Sequence, residues 1–158
     1  MNPADTAAHF APPAPASLAM GVIGNCAFSA LVDLRGRLVW CCLPRFDGDP
    51  VFHALLDAGK TPAEKQDAGH NAFAIEIEDF ARAHQWYEPN TAVLRTQLFD
   101  SQGQGLEITD FAPRFQRRAR FFRPTMLVRR VRPIQGTPRV RVTVDPHFDW
   151  GRVAPLIT

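Results

Sequence analysis

Long apolar runs are missing from this sequence: no stretch approaches the ~20 apolar residues that a membrane-spanning helix needs, so no helical span is expected. Cysteine is scarce. Cys26, Cys41 and Cys42 make an odd set, with Cys41 and Cys42 adjacent and no CxxC spacing or nearby His. That argues against a disulfide framework and a structural zinc site, and predicts buried thiols in a reducing, cytoplasmic compartment. There is no glycine-rich phosphate loop and no dinucleotide fingerprint. The histidines, at 9, 53, 70, 84 and 147, show no ligand spacing, so neither metal nor cofactor is expected. The first residues carry Asp5 and His9 rather than a basic segment, and prolines interrupt any apolar stretch, which predicts no secretory leader. Lysine is almost absent: Lys60 and Lys65 stand against 16 arginines. No internal repeat is visible.

What is present suits one soluble domain. The chain has 158 residues, 46% hydrophobic and 22% charged, enough for a real core. Gly21–Asp57 organises the rest. Cys26, Phe28, Ala30 and Val32 alternate with Ala27, Ser29 and Leu31, the period of a strand. Asp33-Leu34-Arg35-Gly36 supplies a turn. Leu38, Trp40 and Cys42 then oppose Val39, Cys41 and Leu43, a strand apolar on both faces. Trp40 is expected to be nearly fully buried. Pro44 ends the strand. Asp49 and Pro50 read as cap and first residue of a short helix over about 50–57, with Val51, Phe52, Leu55 and Leu56 inward.

Before this stretch, residues 1–18 read as a disordered Pro/Ala-rich arm. After it, residues 58–71 read as a polar loop and Phe73–Ile77 as a half-exposed strand. Residues 82–88 and 92–99 read as an antiparallel pair around Pro89-Asn90, and Leu106–Ala112 as a strand. Residues 114–123 (RFQRRARFFR) break the pattern and read as a loop. Met126–Arg132 is another strand, and Val140, Val142 and Val144 alternate with Arg139, Arg141 and Thr143. Seven or eight strands with one short helix predict an all-β antiparallel sandwich over 19–158.

The ordered motifs Ile23-Gly24-Asn25, Ala30-Leu31-Val32-Asp33, Gly36, Trp40-Cys41-Cys42-Leu43-Pro44-Arg45-Phe46-Asp47, Phe52 and Leu55-Leu56 resemble the opening of the bacterial glycoside hydrolase family 15 enzymes, the glucoamylase, glucodextranase and trehalase-like group. Tyr87-Glu88-Pro89-Asn90-Thr91, Ile108-Thr109-Asp110-Phe111-Ala112-Pro113 and His147-Phe148-Asp149-Trp150-Gly151 continue the resemblance to about residue 152. Asn25, Gly48 and His147 depart from the usual Asp, Ser and Arg.

The resemblance implies an N-terminal β-sandwich that packs against a helical (α/α)6 barrel. The two catalytic glutamates of the whole enzyme, an inverting α-glucosidase, would lie in that barrel. This chain alone is therefore expected to be inert, with no catalytic residue of its own, and its substrate, met only through the whole enzyme, would be an α-glucan or trehalose-type sugar.

Glycoside hydrolysis needs two carboxylates across the scissile bond. Asp47, Asp49, Asp110 and Asp149 are the loop acids here, and caps, turns or inter-strand hydrogen bonds account for three of them. Arg45 and Asp47 either pair and fix their own loop or, with Phe46, Asp149 and Trp150, face the pocket rim or the barrel.

Trp40, Trp86, Trp150 and Phe148 have the chemistry to stack on sugars, which keeps a free-standing carbohydrate-binding module as the alternative. Ten arginines fall between Arg114 and Arg141 with no acid between Asp110 and Asp145. A nucleic-acid surface is the third reading, but a net charge of +2 favours a solvated or docking face. Self-association is expected through an open strand edge near Val140–Val144 or through the barrel-facing surface.

Overall fold

Alternation of period two sets the first elements. The computed structural model describes residues 17–59, 71–153 and 156. In it β1 (Met20–Gly24), β2 (Ser29–Asp33) and β3 (Leu38–Cys42) form an antiparallel meander. The other edge of β3 takes β4 (Pro50–Phe52) at Cys41–Cys42 and β5 (Phe73–Ile77) at Leu38, with a 3-10 helix over Ala54–Gly59 between them. The chain then builds a second antiparallel sheet from β6 (Phe80–Tyr87), β7 (Leu94–Asp100) and β8 (Gly105–Phe111). A small hairpin, β9 (Phe115–Arg117) and β10 (Arg120–Phe122), precedes β11 (Val128–Gln135), which pairs with β8. Finally β12 (Val140–Val144) returns to the first sheet beside β5.

The sheets face each other across two adjoining apolar clusters. Ile23, Phe28, Val32, Leu38 and Phe52 meet Leu94 and Ala112. Ile75 and Ile77 meet Leu98, Leu106 and Ile108. This is the all-β antiparallel sandwich that the sequence predicts.

One polar strut crosses the core. Asp110 on β8 and Arg129 on β11 are register partners, both with buried side chains, joined from Arg129 Nε to Oδ1 at 2.8 Å and from Nη2 to Oδ2 at 3.1 Å. Arg129 then donates across to the first sheet, to Phe73 O at 2.5 Å and to Gly36 O, and its guanidinium lies 4.7 Å from the Phe73 ring centroid. Burial pushes the Asp110 carboxyl above its ordinary pKa, against the hydrogen bond and charge of Arg129.

The Asp33–Gly36 turn that receives the strut is built as expected. Asp33 Oδ1 accepts the Arg35 and Arg37 amides, each at 2.9 Å. Gly36 sits at φ +72°, and a Cβ there would meet Ile108 Cδ1 at 2.8 Å.

Five expectations need correction. Pro50–Phe52 is a strand, and the helix starts only at Ala54. β3 offers a free ladder edge, and Pro50, which cannot donate, is tolerated as a first residue. Residues 114–123 are a hairpin rather than a loop. Arg118 and Ala119 both adopt positive φ, the two-residue turn that usually takes Asn-Gly.

Trp40 is only half-buried. Leu31 pairs with Trp40 but Val32 pairs with Leu38, so a bulge at Val39 turns both Leu38 and Cys41 into the core. Strict alternation had grouped Leu38 with Trp40 and Cys42. Finally, Cys26 is exposed, although Cys41 and Cys42 are buried as expected. Among the described residues there are twelve strands, more than the seven or eight expected. Residues 1–16 of the arm expected over 1–18, and most of the loop expected over 58–71, lie outside the described residues.

The ends of the first sheet differ. At β1, Tyr87 closes the edge: its hydroxyl accepts from Val22 N at 2.6 Å and donates to Val22 O at 2.9 Å. At β12, Val140, Val142 and Val144 pair with Ile77, Ile75 and Phe73 and so share their inward face. Yet they are 38%, 58% and 55% exposed, against 2% for Ile77 and 1% for Ile75. The inward face of β12 is left uncovered.

Candidate functional site

Strand directions gather the chemically interesting loops at one end of the sandwich. The β1–β2 loop, the 43–49 loop between β3 and β4, and the 112–127 connection all emerge there. Asn25 ties the first and the last of these together. Its Nδ2 donates to Pro124 O at 2.8 Å and Pro113 O at 3.2 Å, and its Oδ1 accepts the Ala27 amide at 3.1 Å. The side chain is buried, so an amide that both donates and accepts is satisfied where a carboxylate could not donate.

In the 43–49 loop Arg45 and Asp47 bind each other. Nε and Nη2 of Arg45 each donate to one Asp47 oxygen at 2.9 Å, a bidentate pair in open solvent. The hydrogen bond from Arg45 holds the Asp47 carboxyl below its ordinary pKa. Phe46 between them points to solvent. On the other flank of β4, His147 N donates to Val51 O at 2.9 Å and leads into the single turn Asp149–Gly151. Asp149 at φ +48° and Trp150 at φ +55° both take the left-handed conformation, unusual for such side chains. Phe148 and Val153 bridge beneath them, and Trp150 and Phe148 are exposed.

Thus the five residues singled out on sequence grounds, Arg45, Phe46, Asp47, Asp149 and Trp150, fall on two segments that flank β4. Each of their acids has a cationic neighbour: Asp47 pairs with Arg45, and Asp149 lies 4.0 Å from Arg152. Asp110 is the buried partner of Arg129. Among the described residues no group of three or more His, Cys, Asp and Glu could hold a metal ion. A cavity of about 20 Å³ lies between Arg35, Arg37, Ile77 and Leu98, at the far end of the core. It has room for about one water and none for a sugar.

Sequence reasoning missed the hairpin β9–β10, the most exposed cationic element. Arg114, Arg117, Arg118, Arg120 and Arg123 find no acidic partner among the described residues, whereas Arg129, Arg132, Arg139 and Arg141 pair with Asp110, Glu107, Glu78 and Glu76. Phe115 and Phe122 stack with centroids 5.5 Å apart, and Arg114 lies 5.3 Å from the Phe121 ring centroid. The signal was there in Phe115, Phe121 and Phe122, but no Gly or Asn marked the turn.

Over residues 12–157 the sequence matches the family described as trehalase-like, N-terminal. The chain belongs to that family. Among similar curated proteins are a trehalase of Thermoplasma volcanium, 31% identical over 87% of this chain, and trehalase 1 of Sulfolobus acidocaldarius, also 31% identical over 87%. A trehalase of Mycolicibacterium smegmatis is 27% identical over 85%. The match covers 20%, 21% and 20% of those relatives, so the chain spans about a fifth of their length. No solved structure matches it. The family resemblance read from the Trp40–Asp47 and Ile108–Pro113 motifs is upheld, and the chain corresponds to the N-terminal domain of trehalase-like proteins. No helix among the described residues is long and apolar enough to cross a membrane.

Proposed function

We propose that this chain is the non-catalytic N-terminal β-sandwich of a cytoplasmic, bacterial, glycoside hydrolase family 15-like enzyme. In this reading the chain packs against a helical (α/α)6 barrel that carries the general-acid and general-base glutamates. The whole protein hydrolyses an α-glucosidic bond of trehalose or an α-glucan with inversion. The carrying observation is the match to the trehalase-like N-terminal family over nearly the whole chain, while the chain spans only a fifth of its trehalase relatives.

The loops flanking β4, with Arg45, Phe46, Asp47, Asp149 and Trp150, are the surface assigned to the barrel or its pocket rim. Their exposed aromatics meet an apolar surface, and the Arg45–Asp47 pair holds the loop in shape without another partner. The arginine hairpin widens the same docking end. The domain also self-associates through its uncovered edge.

Incubation of the purified chain with trehalose, maltose and an isomalto-oligosaccharide should release no glucose. Turnover that disappears when an acid within residues 19–158 is replaced would overturn the reading.

The exposed Phe46, Phe148 and Trp150 favour one alternative, a free-standing carbohydrate-binding module. Calorimetric titration with maltooligosaccharides separates the two: measurable heat lost in Trp150→Ala supports the module. A nucleic-acid role for the hairpin would show as binding that falls steeply with salt.

A further inference from the structure

We propose that two copies of this chain join edge to edge through β12, antiparallel about a two-fold axis that passes through Val142. The proposal rests on the self-association stated above and fixes its register. In an antiparallel strand the N–H and C=O of one residue point to the same side, and successive residues alternate. Glu78 N donates to Arg139 O, and Asp145 N donates to Ala72 O. The odd-numbered residues of β12 therefore face β5, and Val140, Val142 and Val144 direct their N–H and C=O to the free edge.

Those three residues also carry the uncovered side chains, at 38%, 58% and 55% exposure. The edge with no strand partner among the described residues and the half-exposed face belong to the same three valines. At the opposite end of the sheet Tyr87 bonds both polar groups of Val22, the middle residue of β1.

The sequence selects the register. Proline stands at 138 and at 146, just outside the valine row on either side. With Val142 opposite its own copy, Val140 lies opposite Val144, and every outward amide and carbonyl of the three valines finds a mate. A slip of two residues in either direction sets a valine against Pro138 or Pro146, which has no N–H to give. A slip of one sets outward groups against groups that face β5.

The same register is self-complementary in charge. Arg139, which pairs with Glu78 and keeps its side chain 71% exposed, stands opposite the second copy's Asp145, itself the acceptor of Asn71 N, and Arg141, the partner of Glu76, stands opposite Thr143. On the inward face valine meets valine. Two copies then share one continuous sheet, a closed isologous arrangement that leaves neither β12 edge open.

The test uses the full 158-residue chain. Light scattering across the micromolar range should report a dimer, and Val142→Lys should raise its dissociation constant at least tenfold while leaving the circular dichroism spectrum unchanged. In a Cys26→Ser background, Val142→Cys should cross-link with its own copy under mild oxidation. A hydrogen-bonded antiparallel pair has Cα atoms about 5.5 Å apart, inside the roughly 4.4–6.8 Å that a disulfide spans. Val22→Cys, on the edge that Tyr87 closes, should cross-link far less.

A monomer at all concentrations overturns both the register and the self-association. A dimer in which Val142→Cys fails to cross-link overturns the register alone. A longer native protein that is monomeric, with Val142→Cys uncrosslinked in it, gives the edge to the chain's own continuation and overturns the proposal. None of these outcomes touches the glucose-release assay.

Discussion

Arg129 shows what a single side chain does in this fold. Its donors reach from the second sheet to two carbonyls of the first, and it neutralises Asp110 on the way. Arg129→Met should cost about 3–5 kcal/mol by leaving the buried Asp110 carboxyl without its partner, whereas replacing both by apolar residues of similar volume should cost much less. Urea titration of the two variants checks this, and equal losses would mean that the pair does not act as a unit. Phe28 and Trp40 make a second residue-scale contrast. Phe28 is fully buried, so Phe28→Ala should cost ~3–5 kcal/mol. Trp40 is only half-buried beside the Val39 bulge, so Trp40→Ala should cost clearly less, against what its apolar neighbours in sequence imply.

Among the elements, the centre of the second sheet is held on its outer face by charge. Glu107 on β8 takes Arg95 Nη1 at 2.7 Å and Gln97 Nε2 at 3.1 Å from β7, and Arg132 Nε at 2.9 Å from β11. Burial alone would push the Glu107 carboxyl up. The hydrogen bonds from Gln97 and Arg132, with the charges of Arg132 and Arg95, outweigh it and hold the group below its ordinary pKa. A lowered folded-state pKa means stability that is present above the unfolded carboxylate value and lost as pH falls through the folded one. The gap in urea midpoint between the wild type and Glu107→Gln should therefore be wide at pH 7 and shrink in acid. A gap independent of pH would show that Glu107 acts by packing alone. The Asp33–Gly36 turn is the other sensitive element. Gly36→Ala should destabilise by more than about 1 kcal/mol, because the new methyl meets both the left-handed backbone and Ile108.

For the whole molecule the decisive feature is the asymmetry between its edges. At the β1 edge Tyr87 bonds Val22, and the β12 edge presents Val140, Val142 and Val144 at 38%, 58% and 55% exposure with no strand beyond them among the described residues. Hydrogen exchange reads this directly. In dilute solution the amides of Val140, Val142 and Val144 should exchange rapidly while those of Arg141 and Thr143, turned toward β5, stay protected. Protection of the three valines should then rise with protein concentration. Protection that does not change with concentration would show that the edge is covered within one copy.

How much of this was legible beforehand follows from the range of the forces involved. Strand alternation, the Asp33–Gly36 turn, the Pro89-Asn90 turn and the valine row of β12 were readable because they depend on neighbours two to four residues apart. The family was readable because its motifs are local runs in a fixed order. The bulge at Val39, the strand at Pro50–Phe52 and the hairpin at 114–123 were not, since each depends on a partner that only folding supplies. The Arg129–Asp110 strut joins residues on neighbouring strands and spends its remaining donors on carbonyls far away in sequence, at Gly36 and Phe73. The sequence by itself determined the period, the turns and the family; the tertiary structure alone decided which valines were left without a neighbour, because burial is a property of the opposing sheet and not of the strand that carries them.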